Sequence, residues 1–145
     1  MYFGSLLVTF NAGNYVADIS TGNIYFFDEE AYTDNGAPIP REICTRHILN
    51  AGNEFFLDQL MLDFETGVGN DEVTAPQVFI SISRDGGRTF GPEKFKPLGL
   101  MGAYLDRVVF NRNGSGRDLV IKIRVTDAVK FVITGGSAAS YEVSD

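Results

Sequence analysis

The sequence predicts an all-β chain: an antiparallel, jelly-roll-like β-sandwich of about eight short strands, with an N-terminal β-hairpin that can complete a propeller-like sheet. Three observations carry this reading. Apolar residues recur with period two, most clearly where Leu119, Ile121, Ile123 and Val125 alternate with Val120, Lys122 and Arg124, as a half-buried strand requires. The same period places Val78, Ile80 and Ile82 inward, with Gln77, Ser81 and Ser83 mostly outward. Between such runs stand turn-forming clusters, Ser20-Thr21-Gly22-Asn23, Asp34-Asn35-Gly36, Asp85-Gly86-Gly87 and Asn113-Gly114-Ser115-Gly116, and the 16 glycines point to many tight reversals.

Taken in order, residues 1–30 form an N-terminal hairpin segment, with Tyr15–Ile19 and Ile24–Phe27 as its arms. A proline-containing connection over 31–40 follows, and 41–145 make up the sandwich. Within the sandwich, Phe55–Phe64 reads as a strand. Phe56, Leu60, Leu62 and Phe64 share one side, and Asp58 interrupts the pattern. No heptad, internal repeat or low-complexity tract appears.

Composition narrows the function classes. With 44% hydrophobic and 21% charged residues in 145, the chain can bury a core without a covalent staple. Its 19 acidic against 12 basic residues give a formal charge of −7, a field that opposes sequence-independent binding to phosphate backbones. A sequence-specific nucleic-acid partner is not expected. The single cysteine, Cys44, excludes an internal disulfide and reads as a small hydrophobe, compatible with assembly in a reducing cytoplasm. Met1–Phe10 lacks the basic and apolar regions of a signal peptide, and no stretch approaches membrane-spanning length, so membrane insertion is not expected either.

Ser83-Arg84-Asp85-Gly86-Gly87-Arg88-Thr89-Phe90 matches the Asp-box pattern, Ser-x-Asp-x-Gly-x-Thr and then an aromatic. A short acid in such a hairpin corner accepts backbone N–H bonds, glycines supply positive φ, and the aromatic packs beneath. Ser83, Asp85, Gly87, Thr89 and Phe90 are therefore read as a structural turn. The pattern resembles the corner of sialidase-like propellers, where it lies away from the active site, so it says little about glycan cleavage.

Other candidates are thinner. Asp63, Glu65, Asp71 and Glu72 flank a Gly-rich loop, but their spacing matches no calcium loop, and solvated acids are the simpler reading. His47 is the only histidine and lies with Ile43 and Leu49 on one side of an expected strand; without a second histidine or a reactive cysteine it reads as a hydrogen-bonded structural residue. Asn113-Gly114-Ser115 is formally a glycosylation sequon and is read as a chance match in a turn. No nucleophile elbow, phosphate loop or dinucleotide fingerprint occurs. No catalytic set, metal site or cofactor is expected, and the twelve Phe and six Tyr are core before they are a stacking platform.

Several stretches, in order, resemble the C-terminal region of the tail hub, or packaged-DNA stabilisation (tail accessory), proteins of short-tailed, podovirus-type phages that infect Salmonella and its relatives. They are Gly22-Asn23-Ile24-Tyr25; Tyr32-Thr33-Asp34-Asn35-Gly36 with Pro38-Ile39 and Arg41-Glu42; Thr45-Arg46-His47; Leu62 to Gly69; Pro76-Gln77-Val78; and Ser83 to Phe90. The series continues through Leu98-Gly99, Gly102-Ala103-Tyr104, Arg107-Val108-Val109-Phe110, Asn113 to Asp118 and Thr126 to Lys130. Phe90 and Phe110 stand where the family tends to have Trp, and Ala128 where it tends to have Pro. Family members carry a large β-rich portion before the part matched.

The resemblance implies a non-enzymatic virion component, added after DNA packaging and assembled in the host cytoplasm. It implies a homo-oligomeric ring on the portal adaptor that retains packaged DNA and presents a platform to the tail needle or other distal tail components. An acidic surface suits a channel through which a duplex passes without sticking. Two other classes stay open on the residues alone. One is a glycan- or receptor-binding module using tyrosines and the Asp63–Glu72 loop. The other is a sialidase-like hydrolase, for which only the Asp-box speaks.

Overall fold

In the computed structural model, residues 6–65, 73–99 and 107–142 are described, and all their regular structure is β. The chain divides into two compact units, Met1–Pro38 and Ile39–Asp145.

The first unit is a meander of β1 (Leu6–Phe10), β2 (Gly13–Ala17) and β3 (Ile24–Phe27) in the order β1-β2-β3, followed by the short pair β4 (Thr33–Asp34) and β5 (Ala37–Pro38). The expected hairpin thus gains a third strand before it. Register puts Leu6, Ala17 and Ile24 in one row and Val8, Tyr15 and Phe26 in another on the same face, with Phe10 opposite Gly13 beyond them. Gly13 makes room here, since a Cβ would meet the Tyr15 and Phe26 rings at 3.0 Å. Those rings pack edge to face with centroids 5.5 Å apart.

The second unit is an antiparallel β-sandwich. One sheet runs β10 (Lys94–Pro97), β9 (Gln77–Ser83), β13 (Asp118–Val125), β6 (Arg41–Cys44), with β7 (Ile48–Leu49) also on β13. The other has β8 (Phe55–Phe64) at its centre, paired with β11 (Val108–Asn111), β12 (Ser115–Gly116) and β14 (Ile133–Glu142). Fifteen buried residues form one cluster between them. Val78, Ile80, Ile82, Leu119, Ile121, Ile123 and Val125 come from the first sheet, and Phe55, Leu57, Leu60, Leu62, Phe64, Val108 and Phe110 from the second, with Leu98 between. The inward sides of β9 and β13 are those the period-two pattern marks.

Strand β8 departs from the sequence reading in an instructive way. Phe55 and Leu57 are buried, and so are Leu60, Leu62 and Phe64, so the inward phase shifts by one residue at Asp58–Gln59. The cause is a bulge: β14 pairs Ala139 with Gln59 and Ser140 with Leu57, passing over Asp58. One extra residue in a strand flips the side-chain phase beyond it. Phe56, expected inside, instead stacks on Tyr141 on the outer face, with ring centroids 5.1 Å apart.

Two further points revise the reading. Ser81, Ser83 and Val120, read as outward, are buried all the same, so the sandwich is covered locally on its outer side as well. Cys44, read as a small core residue, is exposed.

Candidate functional site

The cover over that outer side is the corner after β9. Ser83 Oγ donates to Asp85 Oδ1 at 2.6 Å and accepts from the Gly87 amide at 2.8 Å. Asp85 Oδ1 accepts the amides of Arg88 at 3.0 Å and Thr89 at 2.9 Å, and its Oδ2 takes the Thr89 hydroxyl at 2.6 Å. The Ser83 and Thr89 hydroxyls, then the backbone amides, hold the Asp85 carboxyl far below the usual carboxylate range. Gly86 and Gly87 have φ of 72° and 90°, which a side chain would resist.

At Gly86 space as well as φ selects glycine. A Cβ on Gly86 would come within 3.0 Å of Asp118 Oδ2, and one on Gly87 would rest on Val120 at 3.8 Å. The corner is thus pressed onto β13. Phe90 is half-buried, not a core ring; the Lys122 ammonium sits 4.3 Å from its centroid, a cation–π contact.

His47 lies beside this corner, its Nδ1 2.8 Å from Asp118 Oδ1 and 2.9 Å from Oδ2. Its partner is a carboxylate, and the pair shares space with Gly86. A His–Asp pair alone performs no acyl transfer, and the corner's two hydroxyls, Ser83 and Thr89, both donate to Asp85.

The acidic set separates into individual ion pairs. Asp63 accepts from Arg107 Nε at 2.6 Å, and Glu65 from Lys130 at 2.8 Å. Asp71, Glu72 and the loop over 66–72 lie outside the described residues. Among the described residues no group of three His, Cys, Asp or Glu side chains gathers as a metal site would require.

A second organised region escaped the sequence reading. The loop after β11 wraps the Asp58 bulge: the Arg112 amide donates to Asp58 O at 2.7 Å, Asn113 N to Leu57 O at 3.0 Å, and Leu57 N to Gly114 O at 2.9 Å. Asn113 is 2% exposed. Its Nδ2 donates to Phe110 O at 2.8 Å and Asp58 O at 3.3 Å, and its Oδ1 accepts from Lys94 at 3.2 Å. An asparagine so enclosed cannot carry a glycan in this fold, which removes the sequon. The only sequence signal was an Asn-Gly turn, and nothing in it marks that this Asn faces inward.

A clamp at the other end joins Arg41, whose guanidinium donates to the Val129 and Asp127 carbonyls, to Asp127, whose Oδ2 accepts the Gln77 amide at 2.7 Å. These bonds tie β6 and β9 to the β13–β14 connection.

The first unit has its own acid-capped turn. Asp18 Oδ1 accepts the Ser20 amide at 2.8 Å and hydroxyl at 2.6 Å, and Oδ2 the Thr21 hydroxyl at 2.7 Å. These donors, the Ser20 hydroxyl foremost, lower its pKa. The side chain is enclosed by its own turn, not by a protein interior.

The arrangement holds acids and cations in place for folding and converges no nucleophile, base and oxyanion donors on one point among the described residues. Comparison with protein families gives a match over residues 40–140 to the family described as bacteriophage P22 Gp10, beta-sandwich. Comparison with curated proteins returns no match.

Proposed function

Because the chain belongs to the bacteriophage P22 Gp10 β-sandwich family, whose members are structural proteins of the phage tail, we propose that it is a hub or head-completion component of the virion. In this role it helps to close the DNA exit below the portal, retains the packaged genome until ejection, and docks distal tail parts. It works as copies of itself in a ring on the portal adaptor, assembled in the host cytoplasm, and by mechanical contact without turnover.

The observation that carries this reading is the family match, which spans the sandwich from the start of β6 into β14. Two physical features support it. Asp85 caps a turn, and Asp63–Arg107 and Glu93–Arg124 are single ion pairs, as in a structural scaffold. A net charge of −7 disfavours adhesion of a passing duplex.

Quantitative mass spectrometry of purified particles tests the proposal. The chain is expected at a fixed copy number per virion set by tail symmetry, and particles lacking it are expected to leak DNA. Recovery only as free protein from infected cells would overturn it.

A further inference from the structure

At one edge of the sandwich, between the β9–β10 side of one sheet and the 112–114 loop of the other, lies a cleft of about 110 Å³. Ile80 and Ile82 line it together with Arg84, Lys94 and Arg112, and among the described residues no carboxylate contributes to its wall. Three cations around one small cleft are unexpected in a chain with more acids than bases.

Two of the three are locked in position. The Lys94 ammonium donates to Asn111 O at 3.0 Å, Arg112 O at 2.7 Å and Asn113 Oδ1 at 3.2 Å. Arg84 donates to Ser115 O at 3.1 Å and Asn113 O at 3.2 Å. Carbonyl dipoles orient these charges without cancelling them. Glu93, the acid next to Lys94 in sequence, is engaged by Arg124 at 2.9 and 2.6 Å. Burial, and then repulsion from Arg84, push the Lys94 ammonium below its ordinary pKa, as expected where positive charge gathers without a counter-ion.

The third cation is available. Arg112 is exposed, and among the described residues its guanidinium makes no hydrogen bond or ion pair, while its backbone, at φ 55°, is pinned to Asp58. Gly114 keeps the wall open, because a Cβ there would collide with the Arg84 guanidinium.

We propose that this cleft binds a carboxylate on a short aliphatic stem, the chemistry of a glutamate side chain offered by an adjoining polypeptide. The cations receive the carboxylate, and an apolar floor made by Pro92 and the accessible edge of Ile82 receives the methylenes. A bare phosphate would use the charges and leave the floor bare. A sugar ring finds little room in a cleft of this volume. The local cations dominate over the net negative charge because exposed charges more than about 8 Å away are screened at physiological ionic strength. The inference stands on the cleft itself and not on the tail assignment.

Titration of the full-length chain with glutarate, followed by amide chemical shifts, tests it, with inorganic phosphate and propanol as comparisons. Glutarate is expected to saturate, shifting the Gly91 and Gly114 amides, and phosphate and propanol to bind more weakly. Arg112→Asn removes the free cation while suiting the left-handed backbone, so it is expected to melt like the parent and bind glutarate about tenfold more weakly. Arg112→Lys is expected to recover part of that loss. The proposal fails if glutarate does not saturate by on the order of 100 mM, if Arg112→Asn leaves its affinity unchanged, or if phosphate binds more tightly than glutarate.

Discussion

The N-terminal meander and the sandwich both present apolar strand faces, yet their outcomes differ: the meander carries apolar residues on both faces, Leu7 and Phe27 exposed and Val16 buried on one of them. In the sandwich, Leu119, Ile121 and Val125 are fully buried because a second sheet lies against them. In the meander, Leu6, Val8, Phe10, Ile24 and Phe26 share one face, and Phe10, Ile24 and Phe26 are 71%, 73% and 59% exposed. Among the described residues the first unit contributes no second layer of its own. An apolar strand face reports that it is to be covered; whether the cover is present depends on which elements the rest of the chain supplies. A contiguous apolar face of this kind is a feature of surfaces that meet another layer, in keeping with a chain built for assembly.

The largest expected effect lies in the core. Phe110→Ala should cost about 3–5 kcal/mol, since the ring is enclosed and its loss leaves a cavity; denaturant unfolding reads this directly. Phe90→Ala should cost less, about 1–2 kcal/mol, because that ring is half-exposed under Lys122. Equal costs would mean that the corner is packed as tightly as the core.

Asn113→Ala is expected to fall between, at about 1–3 kcal/mol, by removing the buried amide that donates to the Phe110 and Asp58 carbonyls and accepts from Lys94. Its unfolding midpoint, with hydrogen exchange of the Leu57 amide, checks whether this residue holds the phase shift in β8.

The two acid-capped turns come next. Asp85→Asn and Asp18→Asn should each lower the melting temperature, and their effect should depend on pH in a definite direction. Both carboxyls are held below the ordinary value of 3.8. The folded state therefore favours the ionised form, and the stabilisation is complete above that value and lost as pH falls through the lower folded pKa. The difference in melting temperature between parent and variant should be constant from neutral pH to about pH 5 and shrink below pH 4. A difference that grows with acidification would contradict the hydrogen-bonded carboxylates.

The smallest effect on stability is expected in the meander. Phe26→Ser should change unfolding free energy by about 0.5–1.5 kcal/mol, chiefly through its edge-to-face contact with Tyr15, while incorporation into tail particles falls sharply. A large loss of stability in the isolated chain would show that the face is already covered and would erase the contrast between the two sheets.

Much was legible in the sequence because it follows from chemistry local to a few residues. Period two in Leu119–Val125 identifies the strand and its inner side without knowledge of its neighbours. The Ser83–Phe90 spacing encodes a turn whose acceptor, donors and glycines lie within eight positions of one another.

Other features were decided only by tertiary structure, because their causes lie far apart along the chain. The Asp58 bulge reverses the faces of Phe55 and Phe56, but it exists because the 112–114 loop and β14, both far along the chain, close over it. Val120 is buried by a corner that precedes it by 33 residues, and Phe90 is lifted from core to half-exposed partner of Lys122 by the same packing. Arg84, Lys94 and Arg112 are unremarkable apart from one another in sequence; the meeting of two sheet edges makes them one cleft. Local propensity acts over a few bonds. Burial, bulge position and charge convergence are set by which strands become neighbours, and that is a property of the whole fold.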